Sequence, residues 1–459
     1  MVSDRLWETV KEYRMNRIRI GAAAVAAVLL LGGCGSQEQP APDGPHLEQV
    51  GEQTFYSGQP FSNGYALVQT KDAFGYVDSD GEYTEAFSLE GGSGLESFVQ
   101  AFQQGAAFEV SPEGLYPYYD KDADAWGYRD IQSGETVIDP QYESAMPFRE
   151  GRAVCVEDGQ PTVIDESGAV ILTAARIYTG YYQKGLLLVS DGEEAYPSQV
   201  SGTEDEVDTW ICRLVDLDGE TVLDNLLAGE GEENLYGYAD PLYIRLDYPD
   251  EEVIAVMGMA EPGAQPGYYT PQGELIRALD GQPAYPVADG VTWYQDSETG
   301  LFGLETVEGS SLTEALYSAV STPSGGLAYC TDESGLGGFL SVETGQPVSE
   351  FVYEQAMPFA HGYCVVIRDG LAGLVDDQGQ EVIPCQYENL ALVDDGLLYL
   401  EAEGAAVLTT LDGQEVEDVT GRGVTYASEG IFSLFSLIPQ GEEAASRDNQ
   451  VQFVRFVNE

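Results

Sequence analysis

Tyr142-Glu143-Ser144-Ala145-Met146-Pro147-Phe148-Arg149-Glu150-Gly151 returns 211 residues later as Tyr353-Glu354-Gln355-Ala356-Met357-Pro358-Phe359-Ala360-His361-Gly362, with seven of the ten positions identical. Chance is a poor explanation for that. The spacing around both stretches is regular too. Gly345, Gly379 and Gly413 lie 34 residues apart, as do Gly134 and Gly168, Gly151 and Gly185, and Gly362 and Gly396. A fixed period of this size means stacked copies of one supersecondary unit.

The unit can be read residue by residue. Cys364 to Arg368 is a short apolar strand run. Asp369-Gly370 then signals a two-residue hairpin, because a type I′ turn needs positive φ at both central positions. Leu371 to Val375 forms a second strand, and Asp376-Asp377-Gln378-Gly379 the next turn. Gln380 to Ile383 forms a third strand, ended by Pro384. Residues 153 to 172 repeat the design with Asp158-Gly159 and Asp165-Glu166-Ser167-Gly168. One such meander is too small to fold alone. The connector's Tyr, Ala and Phe are therefore expected to pack on a neighbouring unit.

The pattern resembles the WG-repeat (KWG-type) proteins of bacteria. Trp126-Gly127-Tyr128, Gly134, Val137-Ile138, Pro140, Tyr142, Ala145, Pro147-Phe148 and Gly151 carry the likeness, and Phe74-Gly75-Tyr76 is a variant. It extends over about residues 60 to 420 and is poor at 190 to 300, where insertions fall. The resemblance implies an all-β domain over 49–459. Its architecture is an array of about nine or ten 34-residue β-meander repeats, either propeller-like or a curved β-hairpin array. It implies structural roles for Trp126, Gly127, Tyr142, Phe148, Tyr353, Phe359 and Tyr387. Strand starts near Gly64, Gly105, Gly151, Gly185, Gly237, Gly290, Gly326, Gly362 and Gly396 mark the units, with Val451 to Val457 as a cap. The family has no single assigned activity, so the likeness speaks to architecture.

The N-terminus carries an address. Arg17 and Arg19 precede an apolar run, Ile20 to Leu31, that is too short for a membrane span of about 20 residues. Leu31-Gly32-Gly33-Cys34 resembles the lipobox of bacterial lipoproteins, which implies a diacylglyceryl group on Cys34. Residues 1–33 thus read as a signal peptide, with Met15 as the expected true start. Residues 34–48, rich in proline, glycine and polar residues, read as a lipidated flexible tether. The expected location is the outer face of the cell membrane, held there by the lipid.

Charge and composition exclude several functions. The 459 residues hold 79 acids against 19 bases. Beyond residue 33, 76 acids face 14 bases, a formal charge of −62. Such a surface repels nucleic acid and anionic lipid headgroups. Only His46 and His361 are present, which argues against a histidine triad or a multi-histidine zinc site. Cys155, Cys212, Cys330, Cys364 and Cys385 form no Cys-x-x-Cys pair and stand in for small apolar strand residues, as buried thiols do. No Walker loop, nucleophile elbow or dinucleotide motif is found.

Asp120, Asp122 and Asp124 alternate as in a calcium loop. They lack the loop's glycine, since Ala125 stands there, and its bidentate glutamate, since Ile131 stands there. They remain the candidates for a cation, with no cofactor otherwise expected. The aspartates of Asp78-x-Asp80-Gly81 and Asp216-x-Asp218-Gly219 are expected to shape turns. Aromatic residues that fall outside the repeat register, Trp210, Tyr243, Tyr268 and Trp293, are the candidate ligand contacts.

These readings point to a lipid-anchored envelope module that binds or scaffolds a protein or glycan and has no catalytic role. Two alternatives come from the acids: a carboxylate-based envelope hydrolase, and a structural module stabilised by divalent cations.

Overall fold

The computed structural model describes residues 44–88, 110–120, 122–178, 185–197, 206–229, 244–245, 253–256, 265–279, 282–436 and 451–458. Among these the regular structure is all strand, arranged in small antiparallel sheets. Nine sheets are each built from strands consecutive in the chain, and a tenth joins its two ends. We call them blades 1 to 10. Blade 3 shows the full pattern: Ser144–Ala145, Arg152–Glu157, Gln160–Asp165 and Val170–Thr173, paired in that order. Blade 8 repeats it with Gln355–Ala356, Tyr363–Arg368, Leu371–Asp376 and Glu381–Tyr387. In these two blades the connector thus supplies a two-residue first strand to a three-stranded meander.

The turns form as their residues dictate. Asp158 and Asp369 adopt φ of 50° and 54°, each followed by a positive-φ glycine, as a type I′ turn demands. The other aspartates close their loops from within. Asp376 Oδ1 accepts hydrogen bonds from the backbone N–H groups of Gln378 (3.0 Å) and Gln380 (2.8 Å). Asp78 and Asp216 do the same two and four residues on.

The repeat glycine has a steric cause. A Cβ on Gly127 would lie 2.5 Å from the Ile138 carbonyl oxygen, and one on Gly373 would lie 2.7 Å from that of Ile383. At these points the terminal strand slips register, between Trp126 and Tyr128 in blade 2 and between Ala372 and Leu374 in blade 8. A bulged strand therefore presses its backbone onto the middle strand, and only glycine leaves room.

Every junction between neighbouring blades has an apolar core. One cluster links blades 1, 2 and 3 through Tyr76, Tyr116, Trp126, Tyr128, Phe148 and Cys155. Further clusters join blades 3 and 4, 4 and 5, and so on around to 9 and 10. The last joins blade 10 to blade 1, with Phe453 packed on Phe55 and Phe61. The sheets form a closed ring in a β-propeller arrangement. Tyr142, Phe148 and Tyr353 are buried in these junctions, and the Phe359 ring lies 5.8 Å from Phe339 of the previous blade. Tyr387 is partly buried between blades 8 and 9. Burying one such ring contributes about 1.5–3 kcal/mol.

Two expectations are corrected. His46, Leu47 and Glu48 are not tether: His46–Gln49 is the fourth strand of blade 10 and pairs with Val451–Val457, His46 opposite Val457. That pairing closes the ring, so the run 451–457 is a closing strand and not a cap. In the described part of blade 2, Gly114, at φ 88°, shapes the opening turn. Gly105, Gly237, the signal segment and Cys34 lie outside the described residues.

Candidate interaction surface

In each four-stranded blade the first and third turns lie at one edge of the sheet and the second turn at the opposite edge. The first-and-third-turn edge fastens blade to blade. Glu150, held at φ 52°, accepts a hydrogen bond at Oε2 from the Gly185 N–H of the next blade at 2.6 Å. Asp289 does this for Gly326 at 2.8 Å, and Glu429 for Gly64 at 2.7 Å. Asn63 donates instead, from Nδ2 to the Val110 carbonyl at 2.8 Å. His361 holds the same backbone position, φ 50°, and is exposed. Some third-turn glycines sit against the preceding blade. A Cβ on Gly273 would lie 2.2 Å from the Val222 carbonyl oxygen, and one on Gly345 2.6 Å from that of Leu312.

The same edge brings two carboxyls together. Glu113, in the opening turn of blade 2, lies beside Glu166, in the third turn of blade 3, and Glu166 Oε1 is buried without a hydrogen-bond partner. Desolvation, and then the neighbouring Glu113, push Glu166 up to about 7, while Glu166 holds Glu113 below the usual carboxylate range. Arg152 is engaged nearby, donating from Nε to the Leu217 carbonyl at 2.7 Å and facing Asp218 at 3.7 Å.

The candidate ligand-contact aromatics do not form a surface. Trp293 is 2% exposed and donates its Nε1–H to the Ser321 carbonyl at 2.7 Å. Tyr268 is fully buried, with its hydroxyl on the Tyr285 carbonyl and Thr292. Both belong to inter-blade cores, which corrects their assignment as ligand contacts. Their strands depart from the repeat in sequence while keeping its packing. Tyr243 lies outside the described residues. Trp210 is partly buried, its indole Nε1 has no hydrogen-bond partner, and the Arg176 guanidinium lies 5.4 Å from its ring centre and 4.9 Å from that of Tyr178.

Asp120 is a turn former, accepting the backbone N–H of Asp122 (2.9 Å) and Ala123 (3.0 Å). Asp124, at φ 51°, is bonded by the Tyr119 hydroxyl. Among the described residues no group of three or more His, Cys, Asp or Glu is placed to hold a metal ion. Cys155, Cys212, Cys330 and Cys364 are buried and Cys385 partly so, and burial pushes Cys155 and Cys364 up to about 12, far from the reactive thiolate.

Blade 4 departs from this self-contained pattern. Its strands Leu187–Pro197, Glu206–Val215 and Thr221–Gly229 run to 11, 10 and 9 residues, against six, six and four in blade 3. Its first strand, Arg176–Ile177, pairs only with Ser190 and Val189. Beyond that point a three-stranded ribbon continues, pairing Pro197 with Glu206 at one end and Thr209 with Gly229 on the far side. Aligning Asp216 with Asp130 puts Cys212-Arg213-Leu214 where Trp126-Gly127-Tyr128 stands. Absence of the motif marked this region in the sequence; the length of its strands did not show there.

Known proteins bear on the fold. The family model for the WG containing repeat matches residues 126–159, 343–371 and 373–399. No curated protein matches the chain. Among solved structures, the computationally designed Ika8 protein is 14% identical over 68% of this chain and 94% of its own, with a TM-score of 0.32. A eukaryotic initiation factor is 11% identical over 76% and 94%, at 0.43. BamB from Moraxella catarrhalis is 12% identical over 89% and 99%, at 0.29.

Proposed function

From the premise that this chain carries WG-containing repeats, we propose that it is a lipid-anchored cell-envelope protein whose ring binds or scaffolds an envelope protein or glycan and performs no catalysis. One observation carries the reading. Among the described residues, groups that could do chemistry serve the fold: turn aspartates close their own loops, Glu150 binds the next blade, and Trp293, Tyr268 and four thiols lie in the cores. Binding needs none of them to be free, because a ring of repeats offers a broad surface. The net charge of −60 weighs against nucleic acid as partner. The anchor rests on the segment Arg17 to Cys34. Radiolabelled palmitate should enter the full chain and not its Cys34→Ala variant, which should leave the membrane fraction. A cross-linking pull-down and a glycan array with no specific hit would sink the binding reading.

The hydrolase reading has one observation in its favour, the divided protonation of Glu113 and Glu166. Equal release from a chromogenic glycoside panel by the wild type and Glu166→Gln would close that alternative. The cation reading rests on charge alone. A melting temperature unmoved between millimolar calcium and chelator would dispose of it.

A further inference from the structure

Blade 6 holds the strands Val291–Gln295 and Phe302–Thr306, and blade 7 holds Leu327–Thr331 and Gly337–Ser341. At their second-turn edge two positions of the repeat come together: the residue before Trp126-Gly127 or its equivalent, and the residue before the connector tyrosine. In blade 2 these are Ala125 and Gln141, and in blade 8 Leu371 and Gln386. In blade 6 both are apolar, Leu301 and Leu316, and in blade 7 both again, Leu336 and Val352. Leu316 is 52% exposed and Leu336 36%, while Leu301, Val352 and Leu371 are half-buried.

Hydrogen bonds fix these residues in a row. The Leu316 N–H donates to the Phe302 carbonyl at 3.0 Å, next to Leu301. Ser318 Oγ then donates to the Asp332 carbonyl at 2.8 Å, and the Asp332 N–H to the Leu336 carbonyl at 2.9 Å. The Val352 N–H donates to the Gly337 carbonyl at 3.0 Å, next to Leu336. Glu354 Oε2 accepts the Gly370 N–H at 3.2 Å, next to Leu371. One apolar strip therefore crosses blades 6 and 7 and reaches blade 8. Single exposed leucines are ordinary on a protein surface, whereas a continuous strip marks an interaction site.

The charge around the strip has one sign. Glu298, Glu314, Glu333, Glu350 and Asp369 are exposed, each within three residues of a member of the strip. The sequence has no lysine or arginine between Arg277 and Arg368, and these two are paired with Glu305 at 2.6 Å and Glu381 at 2.9 Å. A second copy of the chain would set acids against acids, and an anionic lipid surface would be repelled. A helix whose apolar stripe is flanked by lysine or arginine matches both the strip and its rim.

We propose that this strip is the docking site for a basic amphipathic helix of a partner protein. The helix lays its apolar face on Leu316 and Leu336, and its lysines or arginines meet the flanking acids. This deepens the binding function proposed above and rests on it.

The test uses the full chain and a fluorescent helical peptide of leucine and lysine, with its leucines on one face. A control peptide carries serine in place of leucine at the same charge. Leu316→Gln combined with Leu336→Ala installs what blade 2 holds at the two positions, so the melting curve should not change. The leucine peptide should bind the wild type, and both the double variant and the control peptide should lower that affinity at least about tenfold. Equal binding by the wild type and the double variant would overturn the proposal. So would equal affinity for the two peptides, since attraction would then be charge alone. A dimer that the double variant abolishes would give the face to a second copy. Phosphatidylcholine vesicles that retain Cys34→Ala protein only while the two leucines are present would give it to the membrane. Either result overturns the proposal. If the peptide fails while cross-linking captures a partner that the double variant also captures, this face is wrong and the binding function stands. If neither peptide nor partner is captured, both fall.

Discussion

Blades 3 and 4 are neighbours with the same strand order, yet they solve different problems. Blade 3 keeps the repeat and ends its strands at the ring's own thickness. Blade 4 more than doubles the length of its terminal strand, lengthens the two strands before it to 11 and 10 residues, and leaves the Trp210 indole N–H without an acceptor. Where the repeat is kept, the turn aspartates close their own loops and the acids of the turn edge reach the next blade. Where it is dropped, the chain extends beyond the ring, and the surface there is free to take on another task.

The sharpest way to break this contrast is at the glycines. Gly127→Val should cost about 3 kcal/mol or more in urea unfolding, because its Cβ meets backbone at 2.5 Å and 2.8 Å. Gly192→Ala in blade 4, with nothing within 4 Å, should stay within about 0.5 kcal/mol. Equal costs would mean that the bulged contact does not explain the motif. Next come the tryptophans. Trp293→Phe strands the Ser321 carbonyl and should cost about 1–3 kcal/mol beyond the lost volume. Trp210→Phe removes a donor that has no acceptor, so thermal melting should show little loss or a small gain.

The turn edge gives a smaller effect. Glu150→Ala loses the bond to Gly185 and should cost about 0.5–1.5 kcal/mol. His361→Ala, at the same position of blade 8, should stay within about 0.5 kcal/mol. The smallest effect is one of pH. The folded value of Glu166, about 7, lies above its ordinary 4.5, so its contribution is fully present below pH 4.5 and fades as pH rises through 7. Glu113 is shifted the opposite way, and its contribution is lost only in more acid solution. Melting temperature should therefore decline between about pH 5 and 8 in the wild type and be flatter in Glu166→Gln. Equal slopes would show that the pair does not share its proton.

Much of the ring was legible in the chain. The repeated Tyr-Glu-x-Ala-Met-Pro-Phe stretch, the Asp-Gly turns and the 34-residue glycine spacing gave the unit and its strands, because local turn chemistry fixes them. Closure was not legible. Nothing in His46-Leu47-Glu48-Gln49 signals a partner near residue 454, since pairing between distant strands leaves no local trace. The aromatic residues misled for a related reason. Trp293 and Tyr268 lack the motif's letters and still occupy its buried places, so departure from a sequence pattern was taken for departure from the core. The long strands of blade 4 fall where composition is acidic and the repeat unreadable.

Ring closure has a consequence in time. Blade 10 takes three strands from the C-terminal end and its fourth from the N-terminal end. The strand made first therefore waits for the one made last, and blade 1 meets Phe453 only when nearly the whole chain is available. Each earlier junction can form as its blades appear, because it needs only neighbours in sequence. The final contact is slow and all-or-none by comparison. While synthesis is unfinished, the chain is an open arc with two raw ends, and it is in that interval, not in the finished ring, that it is most exposed to proteases and misassembly.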